Sequence, residues 1–571
     1  MAAGRESDGR GAAAALALLA GLVFSVCLNQ PGWFDNEGRF AEGAREMIVR
    51  SDWVTPYVND VPLLTKPPLT QWLAALVFAV AGPTEHARIV SIVAAMLTIV
   101  ATCRLGARLY GPRAGLVAGA MLATTVGFVL EARTLRPDGL VIAAVTGAIF
   151  SWHVAETGIA ARRRRWLLLM WASLGVGMLA KGLVPAAVAG VPIGVMTLRR
   201  HGLAGLRRLE PMRGLVVLAA IVLPWHVAAA LANPGFAWDY VVNQHLLFAF
   251  DKKEPRDSVG DPVQFFLAAF VGRSAPWVLF LPFVLPEGVA RLLGRAPEIA
   301  DGTLLLWLWV AGTVGMFALV PSRLEHYTLP ALPGVAPLAA RAWDRIAAGR
   351  VGAGARVYFA LVALVLLAGG AFGIVHGREL LAEEAYWLPQ APGLMALVVP
   401  AALVAGFAGA LLAVALASGR ATALVGAIAV GVTPFLAILV RALIEAEALF
   451  SWRPVARSLA RVVPDTEVVF ESPIEYQVVG GLDFYLGRSV TMLEPRGGYV
   501  PPTYLEGRMQ GVFITRDELK RRWHSGRPLA FVSDPQSRRD TATGLVDAPY
   551  YVLDRFGDRW VLTNVPVSAS R

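Results

Sequence analysis

The sequence predicts an α-helical polytopic membrane protein with about thirteen spans, interfacial helices in the first outer loop, and a small C-terminal extracytoplasmic α/β domain. Of its 571 residues, 56% are hydrophobic and 16% are charged, and the mean hydropathy is +0.55. Soluble domains carry about 25% charged residues. Residues 12–29 and 393–418 contain no charge, and each run is long enough to cross a bilayer as a helix. We interpret the first run as a retained helix, because no A-x-A-like cleavage site follows it.

The distribution of arginine constrains the number of spans and their direction. Length alone gives about fourteen apolar segments. If residues 67–82 crossed the membrane, the arginines at 162–165 and at 341–356 would lie outside the cytoplasm, against the positive-inside rule. If this short, proline-led segment lies at the outer interface instead, these clusters become cytoplasmic. The sequence therefore predicts about thirteen spans, with a cytoplasmic N-terminus and an extracytoplasmic C-terminus.

The same rule accounts for the overall charge. The formal net charge is +10 and comes almost entirely from arginine, so no nucleic-acid partner is needed to explain it. Cys27 and Cys103 both fall in apolar segments. We therefore expect no disulfide and no thiolate metal site.

The chain divides into a membrane part, residues 1–450, and a tail, residues 451–571. The tail is about the size of a soluble domain. Strand-like runs at 467–470 and 511–515, with turn signals between them, predict a small α/β domain. Within the membrane part, residues 30–88 form the first extracytoplasmic loop.

The first loop contains a polar helix signal. Asp35 or Asn36 can cap a helix start. Phe40, Ala44 and Met47 then recur at helical spacing, which predicts an amphipathic helix lying in the membrane interface. Asp35 is either the helix cap or a functional carboxylate, and the pattern leaves both open.

A cation follows on a stiff segment. Lys66 precedes Pro67 and Pro68, and residues before proline favour extended backbone. An amine held there can bind a lipid phosphate. The alternative is an ordinary lysine that extends along the apolar surface into water.

Further charged residues stand at the outer ends of predicted spans. Asp138 follows Arg-Pro at such an end, where a carboxylate is either functional or a helix cap. Lys181 lies between two apolar segments with almost no loop. Arg323, Glu325 and His326 gather at another outer end. On the predicted topology these side chains converge on one side of the membrane, which indicates a single site.

Together these motifs resemble the membrane glycosyltransferases of the GT-C fold that use polyprenyl-phosphate sugars, in particular the lipid A aminoarabinose transferases and the protein O-mannosyltransferases. The aminoarabinose enzymes carry Asp-Glu-x-Arg-Tyr-Ala-Glu and Glu-Lys-Pro-Pro-Leu. The matching stretches here are Asn-Glu-Gly-Arg-Phe-Ala-Glu at 36–42 and Thr-Lys-Pro-Pro-Leu at 65–69. Further matches are Arg-Pro-Asp-Gly at 136–139, Lys-Gly-Leu at 181–183, Pro-Trp-His at 224–226, His245, and Ser-Arg-Leu-Glu-His-Tyr-Thr-Leu-Pro at 322–330. The order and spacing of the motifs carry the resemblance.

Two positions depart from the family pattern. The first catalytic Asp of the family aligns with Asn36, so the resemblance leaves the role of the acid to Asp35 or to Glu37. The family's Glu before Lys-Pro-Pro, which is implicated in metal binding with a histidine like His245, is Thr65 here. A divalent metal would therefore lack its usual glutamate, and we assign no metal ligand.

The resemblance implies an inverting transfer of a sugar from a polyprenyl-phosphate donor at the inner (plasma) membrane of a bacterium. Lipid A, another glycolipid, a polysaccharide and a protein remain open as the extracytoplasmic acceptor. A carboxylate must deprotonate the acceptor, a role assigned to Asp35, with Glu37 in reserve and Asp138 assisting. Cations must stabilise the departing phosphate, and the candidates are Arg39, Lys66, Lys181 and Arg323. Contacts with donor or acceptor are expected from His245, Glu325, His326 and Tyr327.

A polytopic flippase or transporter for lipid-linked sugars is the main alternative. Such folds usually show internal repeats and helices broken near the midplane, and the sequence shows neither pattern. A metal-dependent membrane hydrolase is disfavoured because the sequence contains no H-E-x-x-H motif.

Overall fold

The computed structural model is mainly helical. It describes residues 2–248, 250, 252–254, 260–295, 301–349, 352–384, 391–462, 466–471, 476–494, 501–505, 507–533, 549–557 and 559–566. The first helices are α1 Ala2–Phe24, α2 Asp35–Arg50, α3 Leu69–Ala81, α4 Ile89–Tyr110, α5 Pro112–Ala123, α6 Val126–Ala132, α7 Pro137–Thr157, α8 Arg163–Lys181 and α9 Val184–His201. They are followed by α10 Gly205–Arg208, α11 Pro211–Ala232, α12 Phe236–Trp238, α13 Val263–Ser274, α14 Leu285–Leu292, α15 Asp301–Ala318, α16 Leu332–Ala347, α17 Ala353–Glu384, α18 Pro392–Ala417 and α19 Ala421–Glu445.

Seven of the described helices are long and apolar enough to cross a membrane, and the number rises to nine if each of two bent pairs is one span. The pairs are α5 with α6, bent by 66°, and α13 with the 3-10 helix Trp277–Phe283, bent by 103°. A polytopic membrane protein is therefore confirmed, whereas the count of thirteen spans stays a prediction. Helix α17 ends at Glu384, and residues 385–390 lie outside the described part of the chain.

Helix α3 is too short to cross a bilayer. Its 13 residues rise by about 20 Å at about 1.5 Å per residue, against a hydrocarbon core of about 30 Å. Thr70, Gln71, Ala74 and Phe78 are buried along one side. This length agrees with the expectation that residues 67–82 do not span the membrane.

Beyond α19 the chain forms a mixed sheet with helices. These helices are α20 Glu447–Phe450, α21 Arg453–Leu459, α22 Gly480–Leu486 and α23 Arg516–Trp523. The strands of the tail are β3 Glu467–Glu471, β4 Thr491–Leu493, β5 Phe513–Ile514, β6 Leu529–Val532, β7 Tyr551–Phe556 and β8 Arg559–Thr563. Two earlier strands, β1 Tyr57–Val58 and β2 Val61–Pro62, form a separate hairpin in the first loop.

The six strands of the tail run in the order β5-β4-β3-β6-β8-β7. Strands β5, β4, β3 and β6 are parallel, and β8 is antiparallel to both β6 and β7. The strand-like runs expected at 467–470 and 511–515 correspond to β3 and to the region of β5. The division into domains 1–450 and 451–571 stays a prediction.

The tail and the first loop share their apolar cores. Val61 and Leu64 of the loop pack in one buried cluster with Phe470 of β3. Trp33, which precedes α2, packs in a second cluster with Phe484 of α22. The first loop is therefore enclosed between the membrane helices and the sheet, which limits how far it can move.

Candidate active site

Helix α2 carries the first group of predicted residues. It begins at Asp35, with Phe34 as its N-cap residue, and the Glu37 carboxylate accepts a hydrogen bond from the Phe34 backbone N–H at 3.2 Å. The expected cap by Asp35 or Asn36 is wrong, because both residues already belong to the first turn of the helix and Phe34, which has no side-chain acceptor, occupies the N-cap position. The side chain of Asp35 lies outside the described part of the structure, so its catalytic role stays a prediction.

The polar side of α2 is covered rather than open to water. Phe40, Ala44 and Met47 are buried, as their spacing predicts. Glu42 and Glu46 on the other side are also buried, because α22 packs over this face. Burial raises the pKa of Glu42, although the neighbouring Arg45 opposes that shift.

Glu37 is held in a buried ion pair with Arg88, and both residues are 2% exposed. Arg88 donates from Nε and Nη2 to the two carboxylate oxygens at 2.9 and 2.7 Å, and the Leu135 N–H donates at 2.8 Å. With the Phe34 N–H, four donors meet the roughly four lone-pair positions of a carboxylate. These contacts favour a positioning role for Glu37 over its reserve catalytic role.

Arg88 also fastens the chain that leads into α2. It donates to the carbonyl oxygens of Leu28, Pro31 and Gly32 at 3.2, 2.7 and 3.2 Å. Its guanidinium carbon lies 5.0 Å from the centroid of the Trp33 ring. Sequence analysis missed Arg88, since nothing in its local pattern distinguishes it from other arginines at helix starts.

A second buried ion pair joins Asp138 to Lys181. The Lys181 Nζ donates to Asp138 at 2.6 Å, and Asp138 is 4% exposed. Asp138 lies in the first turn of α7 and Lys181 in the last turn of α8, the ends at which the helix dipoles favour these charges. Gly182 then stops α8 with φ +62° and ψ −141°, a conformation that suits glycine. The sequence therefore predicted that both residues lie at the ends of apolar segments, and the structure joins them in one ion pair.

Glu131 and Arg136 extend this pair into a row of alternating charges. Glu131 is 2% exposed and forms an ion pair with Arg136, which in turn faces both Asp138 and Glu37. The four side chains of Glu131, Arg136, Asp138 and Lys181 have no net formal charge. Sequence analysis gave no role to Glu131 or Arg136, although Arg136 belongs to the Arg-Pro-Asp-Gly motif.

His326 and Tyr327 line the same cluster. The Lys181 Nζ lies 5.2 Å from the centroid of the Tyr327 ring. His326 faces Asp138, Lys181 and Arg136, and burial lowers the pKa of its imidazole below the ordinary value.

His245 lies beside Gly182, the residue that follows Lys181. It belongs to the π-helix Asp239–Leu247, and its Nδ1 lies 2.5 Å from the Tyr240 carbonyl oxygen, a contact that assigns the proton to Nδ1. A Cβ added at Gly182 would lie 2.8 Å from the His245 Nε2. Burial lowers the pKa of His245, and Lys66, which faces the ring, lowers it further.

Arg323 and Glu325 form a turn at the edge of the cluster. Arg323 donates to the carbonyl oxygens of Ala318 at 3.1 Å and Asp261 at 2.8 Å. Glu325 pairs with Arg273, which sequence analysis missed, at 2.8 Å. These contacts favour a structural role for Arg323 within the turn, and its predicted role in phosphate binding stays a prediction.

Arg39 lies at the interface between α2 and α22. Its guanidinium carbon is 5.1 Å from the Phe40 ring centroid. A Cβ added at Gly480 would lie 2.9 Å from the Arg39 Cα, so the backbones of the two helices are in contact. Its predicted role in binding the donor phosphate stays a prediction.

The donor set around His245 does not fit a divalent metal. Lys66, a cation, faces the imidazole, and the neighbouring Thr65 offers no carboxylate. Within the described ranges, no group of three or more His, Cys, Asp or Glu side chains is arranged to hold a metal ion. We therefore derive no step through a metal.

Residues 65–227 match the family model described as dolichyl-phosphate-mannose-protein mannosyltransferase. The matched segment contains Lys66, Asp138 and Lys181. It therefore includes the central ion pair of the cluster.

Curated relatives extend the similarity to other parts of the chain. The undecaprenyl phosphate-alpha-4-amino-4-deoxy-L-arabinose arabinosyl transferase of Aeromonas hydrophila subsp. hydrophila is 28% identical over 366 residues, which cover 61% of this chain and 64% of the relative. The transferase with the same name from Pectobacterium carotovorum subsp. carotovorum is 25% identical over 480 residues, which cover 81% and 82% of the two chains. The chain thus spans slightly less than two-thirds of the length of the Aeromonas relative.

A solved structure matches almost the whole chain. ArnT from Cupriavidus metallidurans, in its apo state and bound to undecaprenyl phosphate, superposes with a TM-score of 0.75 at 23% identity. The superposition covers 96% of this chain and 97% of ArnT. The chain therefore has the fold of ArnT, and the predicted resemblance to transferases that use polyprenyl-phosphate sugars is confirmed.

Proposed function

We propose that the protein transfers a sugar from a polyprenyl-phosphate donor to an acceptor at the outer face of the membrane. The observation that carries the proposal is the buried row of alternating charges, Glu131, Arg136, Asp138 and Lys181, beside the start of α2. The hydrogen bond from Leu135 to Glu37 links the row directly to the helix on which Asp35 lies.

The cations of the row suit a phosphate leaving group. Lys181 has three N–H donors, and Asp138 accepts from one of them at 2.6 Å, so the ammonium can still donate to phosphate oxygens. The Lys181 side chain is 12% exposed, so its ammonium is held largely away from water. In such surroundings a fixed cation stabilises developing negative charge more strongly than in water. Lys66, which faces His245, is the second proposed cation.

A carboxylate is proposed to activate the acceptor. The acceptor oxygen or nitrogen forms a bond to the anomeric carbon, and the bond between that carbon and the phosphate oxygen breaks. The electron pair of the broken bond leaves with the phosphate, and the acceptor's proton passes to the carboxylate. Asp35 is the first choice, because it is the first residue of α2, where the helix dipole favours the ionised form. Asp138 assists by holding Lys181, and a single displacement inverts the anomeric configuration.

The charge distribution supports an extracytoplasmic site. Asp138 and Lys181 lie at the ends of α7 and α8 that are opposite to the arginine cluster at 162–165. Arginine-rich connections face the cytoplasm. The sheet of the tail packs on the first loop, so it belongs on the same outer side. We therefore propose an inner-membrane protein with an N-terminus in the cytoplasm and a C-terminal domain outside.

The named relatives suggest the donor class. They are undecaprenyl-phosphate aminoarabinose transferases, and one of the similar ArnT structures is bound to undecaprenyl phosphate. We therefore propose an undecaprenyl-phosphate sugar as donor, with lipid A, another glycolipid, a polysaccharide or a protein as acceptor. The relatives are transferases, which favours this proposal over the flippase or transporter.

A transfer assay with a matched pair of lysine variants tests the proposal. Purified protein in detergent receives radiolabelled undecaprenyl-phosphate sugars, one at a time, with membrane extract as acceptor. We expect Lys181→Met to lower transfer by about a hundredfold or more. Lys520→Met on α23 is the control and should transfer at the wild-type rate. Equal transfer by Lys181→Met and wild type would contradict the assigned role of the cation.

A further inference from the structure

We infer that Tyr485 of α22 is a positioning residue for the transfer reaction, because it holds the backbone of the turn that leads into α2 and to Asp35. The inference rests on the proposed function. It assigns the C-terminal segment a part in building the active site, beyond covering it or binding an acceptor.

The Tyr485 hydroxyl bridges two fixed groups. It accepts a hydrogen bond from the Trp33 backbone N–H at 2.7 Å and donates to the Glu85 carboxylate at 2.6 Å. Trp33 is fully buried and precedes Asp35 by two residues. Glu85 is itself held by Arg453, at 3.3 Å. The hydroxyl therefore acts from a position 452 residues away in sequence on the backbone directly before the predicted catalytic carboxylate.

Helix α22 packs closely against the first turn of α2. A Cβ added at Gly38 would lie 2.4 Å from the Gly481 Cα, closer than real side chains approach, so the two helices touch through their backbones. The Phe484 ring meets the Trp33 ring edge to face, with centroids 5.8 Å apart. These contacts oppose rotation or sliding of α2 against α22, and therefore hold the backbone of its first turn in place.

The start of α2 is thus held by two sets of contacts, one within the membrane part of the chain and one with the tail. Arg88 and Glu37 fasten it from the membrane part, and Tyr485 fastens it from the tail. Loss of the Tyr485 hydroxyl would leave the buried Trp33 N–H without its acceptor, which the chain can relieve by shifting the turn.

The test compares Tyr485→Phe with Tyr551→Phe, a control on β7 whose residue is 44% exposed. We expect Tyr485→Phe to lower kcat by about ten- to a hundredfold with the KM for the donor nearly unchanged, because small misplacements of a reacting group cost rate rather than binding. In hydrogen–deuterium exchange, the peptide that covers residues 31–40 should exchange faster in Tyr485→Phe than in the control. If Tyr485→Phe does not fold, Glu85→Gln perturbs the same hydroxyl while leaving the ring in place.

The possible results separate the inference from the proposed function. An unchanged kcat with unchanged exchange at residues 31–40 would overturn the positioning role. A raised KM with unchanged kcat would overturn it as well, because it would indicate direct contact with substrate. If the wild type transfers no sugar from any donor, the proposed function fails, and the exchange comparison alone decides whether Tyr485 holds the turn.

Discussion

Replacement of Arg88 by methionine removes the guanidinium that fastens the start of α2. The guanidinium donates to both oxygens of Glu37 and to three backbone carbonyl oxygens, and both charged side chains are buried. Removal of one partner of a buried ion pair costs about 3–5 kcal/mol, since the other charge stays buried and uncompensated. That cost corresponds to roughly a hundred- to a few-thousandfold change in the unfolding equilibrium.

Denaturant unfolding in detergent measures the effect, with Arg521→Met as the matched control. Arg521 is an exposed arginine that pairs with Glu518 on α23, and surface pairs of this kind contribute little to stability. A double-mutant cycle with Glu37→Leu isolates the pair: Glu37→Leu should cost much less when Arg88 is already methionine. The reasoning is refuted if Arg88→Met is as stable as the control, or if the two substitutions are additive.

Three further predictions concern α2, the turn after α8 and α22. Gly38→Ala puts a methyl group 2.4 Å from the backbone of α22 and should abolish transfer, whereas Gly190→Ala, which meets open space, should leave the rate unchanged. Gly182→Ala should also lose transfer, because its φ is +62° and its Cβ would lie 2.8 Å from His245. Burial raises the pKa of Asp483 well above its ordinary value, so the folded state binds the proton more tightly. The contribution of Asp483 to stability is therefore full below about pH 4, the ordinary aspartate pKa, and is lost as the pH rises; Asp483→Asn should remove this contribution, so that the variant loses less stability than the wild type between pH 4 and 8.

The local sequence pattern predicted those features of the structure that depend only on residues close together in the sequence. The spacing of Phe40, Ala44 and Met47 predicted which side of α2 is buried, because one helix face repeats every three to four residues. The very short connection after Lys181 predicted that this residue lies where one helix ends and another begins. The predicted topology then placed these positions on one side of the membrane, which indicated a single site.

The pairings across the fold could not be predicted, because they join residues that are distant in sequence. Asp138 and Lys181 are 43 residues apart, and Glu37 and Arg88 are 51 apart. The sequence pattern alone made Glu37 a second candidate for the catalytic carboxylate. The four hydrogen-bond donors around its carboxylate favour a positioning role instead. The hydroxyl of Tyr485 is more remote still, and no local signal connects it with the first loop.

The number of spans was also difficult to derive from the sequence. Hydropathy and arginine placement treat each apolar run as a straight span, whereas the chain bends by 66° between α5 and α6 and by 103° after α13. The polar side of α2 was expected to face water at the membrane interface. In the structure α22 covers this polar side of α2, so the amphipathic pattern reflects packing against another part of the protein.

The proposed function requires that this cluster transfer a sugar from a polyprenyl phosphate with the help of a carboxylate. The most direct measurement is the initial rate of transfer from a labelled undecaprenyl-phosphate sugar by wild type, Asp35→Asn and Asp138→Asn, each checked for intact folding. We predict that the wild type transfers the sugar and that Asp35→Asn lowers the rate by about 10²- to 10⁴-fold, the usual contribution of a general base. Asp138→Asn should lower it as well, through Lys181. Transfer by Asp35→Asn at the wild-type rate would contradict the account.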